Sequence, residues 1–312
     1  MTASRNRTIT LTAEERNELQ EALIKPSQLR QDELPLDKII WGDTIQALQI
    51  LPDEFADLVI LDPPYNLTKQ FGTLTFKSRH AKDYENYLDS WLPLVCQKLK
   101  PTGSLYLCGD WKCTALLQNA LEKCQMHIIN RITWQRDKGR GSAKNWKNNM
   151  EYIWFAVKNP QHYYFNADAV MMKRKVLAPY RNNGKPKDWQ KTTEGNFRMT
   201  FPSNFWDDIS IPFWSMPENT EHPTQKPEKL FAKLILASSK EGDLVFDPFI
   251  GSGTTAVVAQ KLTRHFCGID QDKEYCLLAQ KRLRMATENS EIQGYKDGVF
   301  WERNTLYTHK ER

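Results

Sequence analysis

Two short segments carry residue types at spacings that chemistry can use. The first is FDPFIGSGTT, residues 246–255, which directly follows an apolar strand pattern and directly precedes a helical one. Gly251 and Gly253 allow a tight turn whose backbone comes close to a ligand, at the place where open α/β sheets bind nucleotides. Seventeen residues beyond Gly253, Asp270 ends the next apolar run, HFCGID. An acid there accepts hydrogen bonds from both hydroxyls of a ribose. A glycine pair alone is as often a plain helix entry, and Asp270 alone is equally a helix N-cap. Strand, turn, helix, strand and acid together point to an adenosine-containing cofactor, although the spacing is not G-x-G-x-x-G.

The second segment is LVILDPPYN, residues 58–66, where Asp62 ends an apolar run and is followed by Pro63, Pro64 and Tyr65. Prolines donate no backbone hydrogen bond and stiffen the chain, so the adjoining peptide carbonyls stay available to a ligand's amino group. Asp62, a prolyl carbonyl and the Tyr65 ring then form a rigid acceptor pair beside a stacking platform, which suits an extruded base with an exocyclic amine. Pro-Pro alone more often just ends a strand. Its company with an adenosine-site candidate favours chemistry.

The elements that must position these segments are legible as short apolar runs ending in an acid: KIIWGD, ADLVILD and SLYLCGD from Lys38 onward. Each reads as a buried strand of a parallel sheet. Helical stretches at Tyr84 to Leu99 and Trp111 to Cys124 lie between or after them, with Pro101-Thr-Gly103 as a stop before the next strand. Two β-rich runs, HIINRITWQR and MEYIWFAVK, flank a basic loop at 136–147. Residues 158–221 then lose all clear periodicity. Helix (Pro227 to Ser239), strand (DLVFD), glycine turn, helix (Thr254 to Leu262), strand and helix (Lys273 to Arg284) restore the alternation, so the class is α/β. Residues 1–35 form a polar N-terminal arm with one amphipathic helix between Thr12 and Leu23, behind a Thr-x-x-Glu cap.

Composition sets bounds. With 312 residues the chain can bury a full core, and 43 Lys+Arg against 38 Asp+Glu permit a polyanionic partner without demanding one. Cys96, Cys108, Cys113, Cys124, Cys267 and Cys276 form no C-x-x-C pair and read as reduced, structural thiols. The amino terminus has no apolar h-region, and no stretch approaches the roughly 18 apolar residues of a membrane span, so a soluble, cytoplasmic protein without a membrane partner is expected. The histidines at 80, 127, 162, 222, 265 and 309 have no metal-ligand spacing.

D-P-P-Y at 62–65 with F-x-G-x-G at 249–253 resembles the DNA amino-methyltransferases, the adenine-N6 and cytosine-N4 enzymes. The catalytic motif precedes the cofactor motif with an irregular region between, as in the family's β group, over about residues 38 to 285. The resemblance implies a Rossmann-like S-adenosylmethionine-dependent methyltransferase sheet with circularly permuted motif order. It divides the chain into an arm (1–35), a catalytic half (36–157), a target recognition region (158–221), a cofactor-binding half (222–286) and a C-terminal extension (287–312). Catalysis falls to Asp62, Pro63, Pro64 and Tyr65. Cofactor contacts fall to Asp43 of IIWGD, to His222, Thr224 and Lys226 of HPTQKP, to Asp247, Phe249, Gly251, Ser252, Gly253 and Thr254 of the glycine turn, and to Asp270. GDW at 109–111 follows the strand next to the catalytic one and borders cofactor or base in this scheme without an assigned role.

Such an enzyme acts on double-stranded DNA by direct methyl transfer to a flipped base, with no metal. In the recognition region Lys173, Arg174, Arg181, Lys185, Lys187, Lys191 and Arg198, interspersed with Tyr180, Trp189 and Phe197, are the expected phosphate and base contacts, joined by Lys138 and Arg140 of the basic loop. Aspartate at 62 favours adenine N6, and cytosine N4 is the alternative. No cysteine follows a proline, which argues against the cytosine-C5 branch. A catalytically silent DNA-binding subunit has no reason to keep both motifs, and a nicotinamide dehydrogenase needs its glycine turn at the start of the sheet. Enzymes of this resemblance usually serve restriction-modification systems beside a separately acting restriction endonuclease, and some form homodimers.

Overall fold

The computed structural model describes residues 6–72, 74–136, 143–177, 180–193 and 195–302. In chain order, α1 (Ala13–Leu19) precedes β1 (Lys38–Trp41), α2 (Thr44–Ile50), β2 (Ala56–Leu61), the hairpin of β3 (Lys69–Phe71) and β4 (Leu74–Phe76), α3 (Ala81–Lys98), β5 (Leu99–Gly109), α4 (Thr114–Lys123), β6 (His127–Gln135) and β7 (Met150–Val157). Six short strands follow: β8 (Met172–Lys175), β9 (Arg181–Asn182), β10 (Lys185–Pro186), β11 (Gln190–Thr192), β12 (Gly195–Thr200) and β13 (Phe205–Trp206). Then come α5 (Glu228–Ser238), β14 (Leu244–Asp247), α6 (Thr254–Lys261), β15 (His265–Asp270), α7 (Lys273–Glu288), β16 (Tyr295–Lys296) and β17 (Val299–Trp301).

Eight strands make the main sheet in the order β1-β15-β14-β2-β5-β7-β6-β13. All neighbouring pairs are parallel except β5 with β7 and β7 with β6. Burial alternates along each strand in step with the pleat. Ile39, Leu58 and Ile60 join the apolar cluster under α5, α6 and α7, while Ile40, Val59 and Leu61 join the one under α2, α3 and α4. Both faces are therefore covered, which is why these strands read as continuous apolar runs. The expected α/β class and its elements hold.

Pro101-Thr-Gly103 differs from the expected stop. Ala56 pairs with Leu99 and Leu58 with Ser104, so residues 100–103 bulge out of β5 opposite Asp57, and the strand runs through them. Lys100 closes the bulge with an ion pair to Asp57 at 2.7 Å. In the arm, Thr12 and Glu15 form the expected capping box, and Leu11, Leu19 and Leu23 are buried. Arg16, Glu15 and Glu18 pair with Glu274, Lys281 and Arg284, so the arm is fastened to α7.

The irregular region builds a second, five-stranded sheet, β11-β12-β8-β17-β16, whose last two strands come from beyond α7. Trp189 and Phe197 are buried within this unit, while Met172 and Phe300 join the main core. Helix α5 ties it to the main sheet: Lys229 donates to the Trp301 carbonyl at 2.5 Å and the Lys233 ammonium lies 5.5 Å from the Phe300 ring, while both lysines pair with Asp208 beyond β13, at 2.7 and 3.0 Å. β13, also within the region, pairs with β6 at the edge of the main sheet.

Candidate active site

The chain order of the main sheet reverses between β14 and β2. From β14 the next strand in sequence, β15, lies on one side, while from β2 the next sheet strand, β5, lies on the other. Open α/β sheets bind ligands outside the carboxyl ends of the strands at such a switch point. A cleft of about 500 Å³ opens there, lined by Asp43, Asp62, Asp247 and Asp270 after β1, β2, β14 and β15, and by Asp110 after β5.

On the β14 side the acids are held by backbone. Asp270 accepts from the N–H groups of Gly251 at 3.0 Å and Asp272 at 2.8 Å, and burial raises it to about 6. Asp247 accepts from Phe249 N–H at 2.9 Å and the Thr255 hydroxyl, and burial raises it to about 7. Its carboxylate is thus spent inside the turn: Asp247 shapes the loop, whereas a direct ligand contact was the expectation. The two glycines divide the work as well. Gly253, at φ +86°, packs so closely on α7 that an added Cβ would lie 2.5 Å from Ala279 Cβ. Gly251, at φ +52°, faces the cleft opposite His222 Nε2. Ser252 and Thr254 are buried, and Arg282 binds the Ser252 carbonyl and the Thr254 hydroxyl, which itself donates to the Lys226 carbonyl. Phe249 sets its ring edge against Trp91 at 4.8 Å on the cleft floor.

Asp43 caps α2 by accepting from Gln46 N–H and also borders the cleft. His222 packs against the Tyr275 ring at 4.4 Å. Burial first, then the charges of Lys226, Lys69 and Arg282, lower its imidazole to about 3, so it is neutral at physiological pH. Thr224 lines the same wall.

On the β2 side the acid is held by side chains. Lys226 reaches across the cleft to both oxygens of Asp62, at 2.7 and 2.6 Å, and the Tyr65 hydroxyl donates to Asp62 at 2.9 Å. Glu151 completes the group, 3.2 Å from the Tyr65 hydroxyl and 3.4 Å from Lys226 Nζ, with Arg136 paired to its other oxygen. Burial raises the Asp62 carboxyl, and Lys226 opposes that shift. Lys226, expected among the cofactor contacts, lines the cleft and gives its ammonium to Asp62, because a buried cation must find an anion. The Pro64 carbonyl accepts from the Tyr84 hydroxyl of α3, in keeping with Pro63 as the prolyl acceptor.

Glu151, Arg136 and Asp110 complete the polar wall. Asp110, of the GDW segment, accepts from Asn148 and caps the turn after β5. Glu151 escaped sequence reasoning because β7 runs antiparallel: its first residues, not its last, reach the ligand edge. An acid opening an apolar run, M-E-Y-I-W, is the signal that could have found it.

Among the basic residues, Arg181 and Lys185 are exposed on the separate two-stranded sheet of β9 and β10, Lys187 is exposed just beyond it, Lys191 is exposed on β11 and Arg198 is exposed on β12 beside Asp188. Lys173 and Arg174 are half-buried, Lys173 between the rings of Phe197 and Trp301 and Arg174 beside Glu302, so they help hold the small sheet together. Trp189 and Phe197 belong to its core, and only Tyr180 of the three expected aromatics is exposed. Lys138 and Arg140 lie outside the described residues.

An acid held by a glycine turn, set across a switch-point cleft from a buried carboxylate and a prolyl carbonyl, fits an enzyme of the nucleotide-binding α/β class. The family model for DNA methylases matches residues 56–281. Type II methyltransferase M.HpaI of Haemophilus parainfluenzae is 35% identical over 259 residues, spanning 83% of this chain and 76% of that protein. DNA adenine methyltransferase YhdJ of Escherichia coli K12 is 36% identical over 284 residues, 86% of this chain and 91% of its own. The solved PvuII DNA methyltransferase (cytosine-N4-specific) has the same fold, at a TM-score of 0.58 and 19% identity over 81% of this chain and 90% of its own. The M1.HpyAVI-SAM complex superposes at a TM-score of 0.54 with 22% identity, covering 78% of this chain and 98% of that one. The chain belongs to the DNA methylase family. It is a DNA methyltransferase.

Proposed function

We propose that this enzyme methylates N6 of adenine in double-stranded DNA, using S-adenosylmethionine and a base turned out of the helix. The observation that carries the reading is the Asp62-Pro63-Pro64-Tyr65 corner at the carboxyl end of β2, directly across the cleft from the glycine turn. Aspartate at the head of that corner and the resemblance to a named DNA adenine methyltransferase support adenine over cytosine.

The cleft suits this cofactor chemically. Seven carboxylates line it against four cations, Lys69, Arg79, Arg136 and Lys226, which favours a ligand with positive charge. Asp270 would hold the ribose, Asp43 the adenine end, and His222, Thr224, Gly251 and Phe249 the walls, with Asp247, Ser252, Gly253 and Thr254 shaping the turn. When bound, S-adenosylmethionine supplies a methyl group on a positively charged sulfur.

The chain's own residues prepare the nucleophile. The exocyclic amine of adenine is a poor nucleophile because its lone pair is delocalised into the ring. Hydrogen bonds from the amine to Asp62 Oδ and the Pro63 carbonyl localise that pair and aim it. Asp62 needs only to orient the amine, since the nitrogen sheds its proton readily once methylated. Pro64, anchored by Tyr84, fixes the corner. Tyr65 presents its ring to the base, with its hydroxyl tied to Asp62 and Glu151.

Residues 158–221 together with the strands β16 and β17 form the recognition unit in this reading, with Arg181, Lys185, Lys187, Lys191 and Arg198 on phosphates or base edges and Lys138 and Arg140 on the neighbouring loop. A separately acting restriction endonuclease is its expected counterpart, supported by the type II designation of M.HpaI. Among the described residues no helix is long and apolar enough to cross a membrane, in keeping with action in the cytoplasm.

The test is incubation with tritiated S-adenosylmethionine and unmethylated genomic DNA, followed by digestion to nucleosides and chromatography. Label in N6-methyladenine is expected, and Asp62→Ala should reduce it by roughly 10²- to 10³-fold or more. Label in N4-methylcytosine would overturn the choice of base, and no label would overturn the reaction.

A further inference from the structure

In the arrangement described, Asp62 has little room for a substrate. A carboxylate offers about four acceptor sites. The Lys226 ammonium contacts both oxygens of Asp62, and the Tyr65 hydroxyl takes one of them again. A neutral amine is a weaker partner than an ammonium, because charge-assisted hydrogen bonds are roughly twice as strong as neutral ones. An incoming adenine amine therefore cannot displace Lys226 unless the lysine has another anion to go to, since a buried ammonium without one is costly.

That anion is next to it. Glu151 Oε2 lies 3.4 Å from Lys226 Nζ and 3.2 Å from the Tyr65 hydroxyl, so both donors already bridge the two carboxylates. The Lys226 and Glu151 side chains are each 5% exposed, and water is a poor substitute partner at that depth. Arg136 occupies the other Glu151 oxygen, which orients the carboxylate and leaves Oε2 facing the lysine. A shift of Lys226 by less than about an ångström turns the long contact into a full hydrogen bond.

Resting on the adenine methyltransferase reading, we infer that Glu151 is a positioning residue that takes Lys226, and with it the Tyr65 hydroxyl, from Asp62 when the target amine arrives. Lys226 thereby keeps its charge compensated at every stage, and Asp62 is released to the base without ever facing an empty site. Glu151 touches neither base nor methyl donor in this scheme. It acts through Lys226.

The experiment is a double-mutant cycle of Glu151→Gln and Lys226→Met, with kcat, KM for DNA and cofactor affinity measured for each. Glu151→Gln should lower kcat by roughly 10- to 100-fold, the loss of one charge-assisted hydrogen bond, while KM for DNA and cofactor affinity stay near wild type. Glu151→Asp, which keeps the charge, should recover most of the loss. In the Lys226→Met background, where no ammonium has to be taken away, Glu151→Gln should have little further effect. If its effect persists at full size there, or if the Glu151→Asp and Glu151→Gln enzymes are equally impaired with cofactor affinity intact, Glu151 is merely structural and the inference falls. A variant that loses cofactor affinity has lost its fold at the site, and the Glu151→Asp comparison then decides. A wild-type enzyme that labels no adenine condemns the functional reading itself, and an active wild type matched by Glu151→Gln condemns only the hand-over.

Discussion

The two sides of the cleft hold their acids in different ways. On the β14 side Asp270 and Asp247 are gripped by the backbone N–H groups of Gly251, Asp272 and Phe249, groups whose positions are set by the turn and cannot be reassigned. On the β2 side Asp62 is gripped by a lysine and a tyrosine that have a second carboxylate within reach. Backbone donors make a preformed site, suited to a ligand that is the same in every turnover. Side-chain donors make an exchangeable one, suited to a group that must be covered until its substrate enters.

Asp270→Asn should sharpen that contrast most. The amide keeps one acceptor oxygen but turns its NH2 toward a backbone N–H, so cofactor affinity by calorimetry should fall by roughly 10- to 100-fold. An unchanged affinity would mean that the β14 acids are not the preformed element. Next in size is Gly253→Ala, where the new Cβ meets Ala279 and the backbone sits at φ +86°. Urea denaturation should record a loss of about 1–3 kcal/mol. Gly251→Ala, which faces His222 in the cleft, should instead show mainly in cofactor binding. Tyr65→Phe removes one exchangeable donor and should change kcat by only about 2- to 12-fold. A total loss would break the idea that the β2 side tolerates reassignment.

A further effect is one of pH. Burial raises Asp247 from 3.8 to about 7, so the folded state holds its proton more tightly than the unfolded chain does. Its stabilising contribution is complete below the unfolded value, declines as pH climbs toward 7 and stays lost above it. Relative to wild type, Asp247→Asn should therefore gain stability between about pH 4 and about pH 7. A difference that stays flat across that range would show that Asp247 does not titrate there.

How much of this was legible beforehand depends on repetition. Strands such as Ala56–Leu61 announce themselves because both faces are buried, and an acid at the end of each marks the ligand edge. The glycine turn, Asp270 and the Asp62 corner were readable for that reason. Glu151 was not, because β7 runs against its neighbours and brings its start to the edge. The destination of the Lys226 side chain depends on the folding of the chain across the 164-position separation from Asp62. The small sheet was invisible because its strands are two to six residues long and mostly only half-buried or exposed. Trp189 and Phe197, which the sequence intersperses among basic residues, are buried within that unit.

The strand β17 lies beside β8 in parallel, with Phe300 opposite Met172 and Trp301 opposite Lys173. The small sheet is therefore assembled from chain made before helices α5 to α7 and chain made after them. A ribosome must finish nearly the whole protein before that sheet can close, so a truncated product keeps the cleft's strands without a complete small sheet. The same pairing governs engineering: residues 158–221 moved alone into a relative would arrive without their partner strand, and a transplant of this unit has to carry residues 295–301 with it.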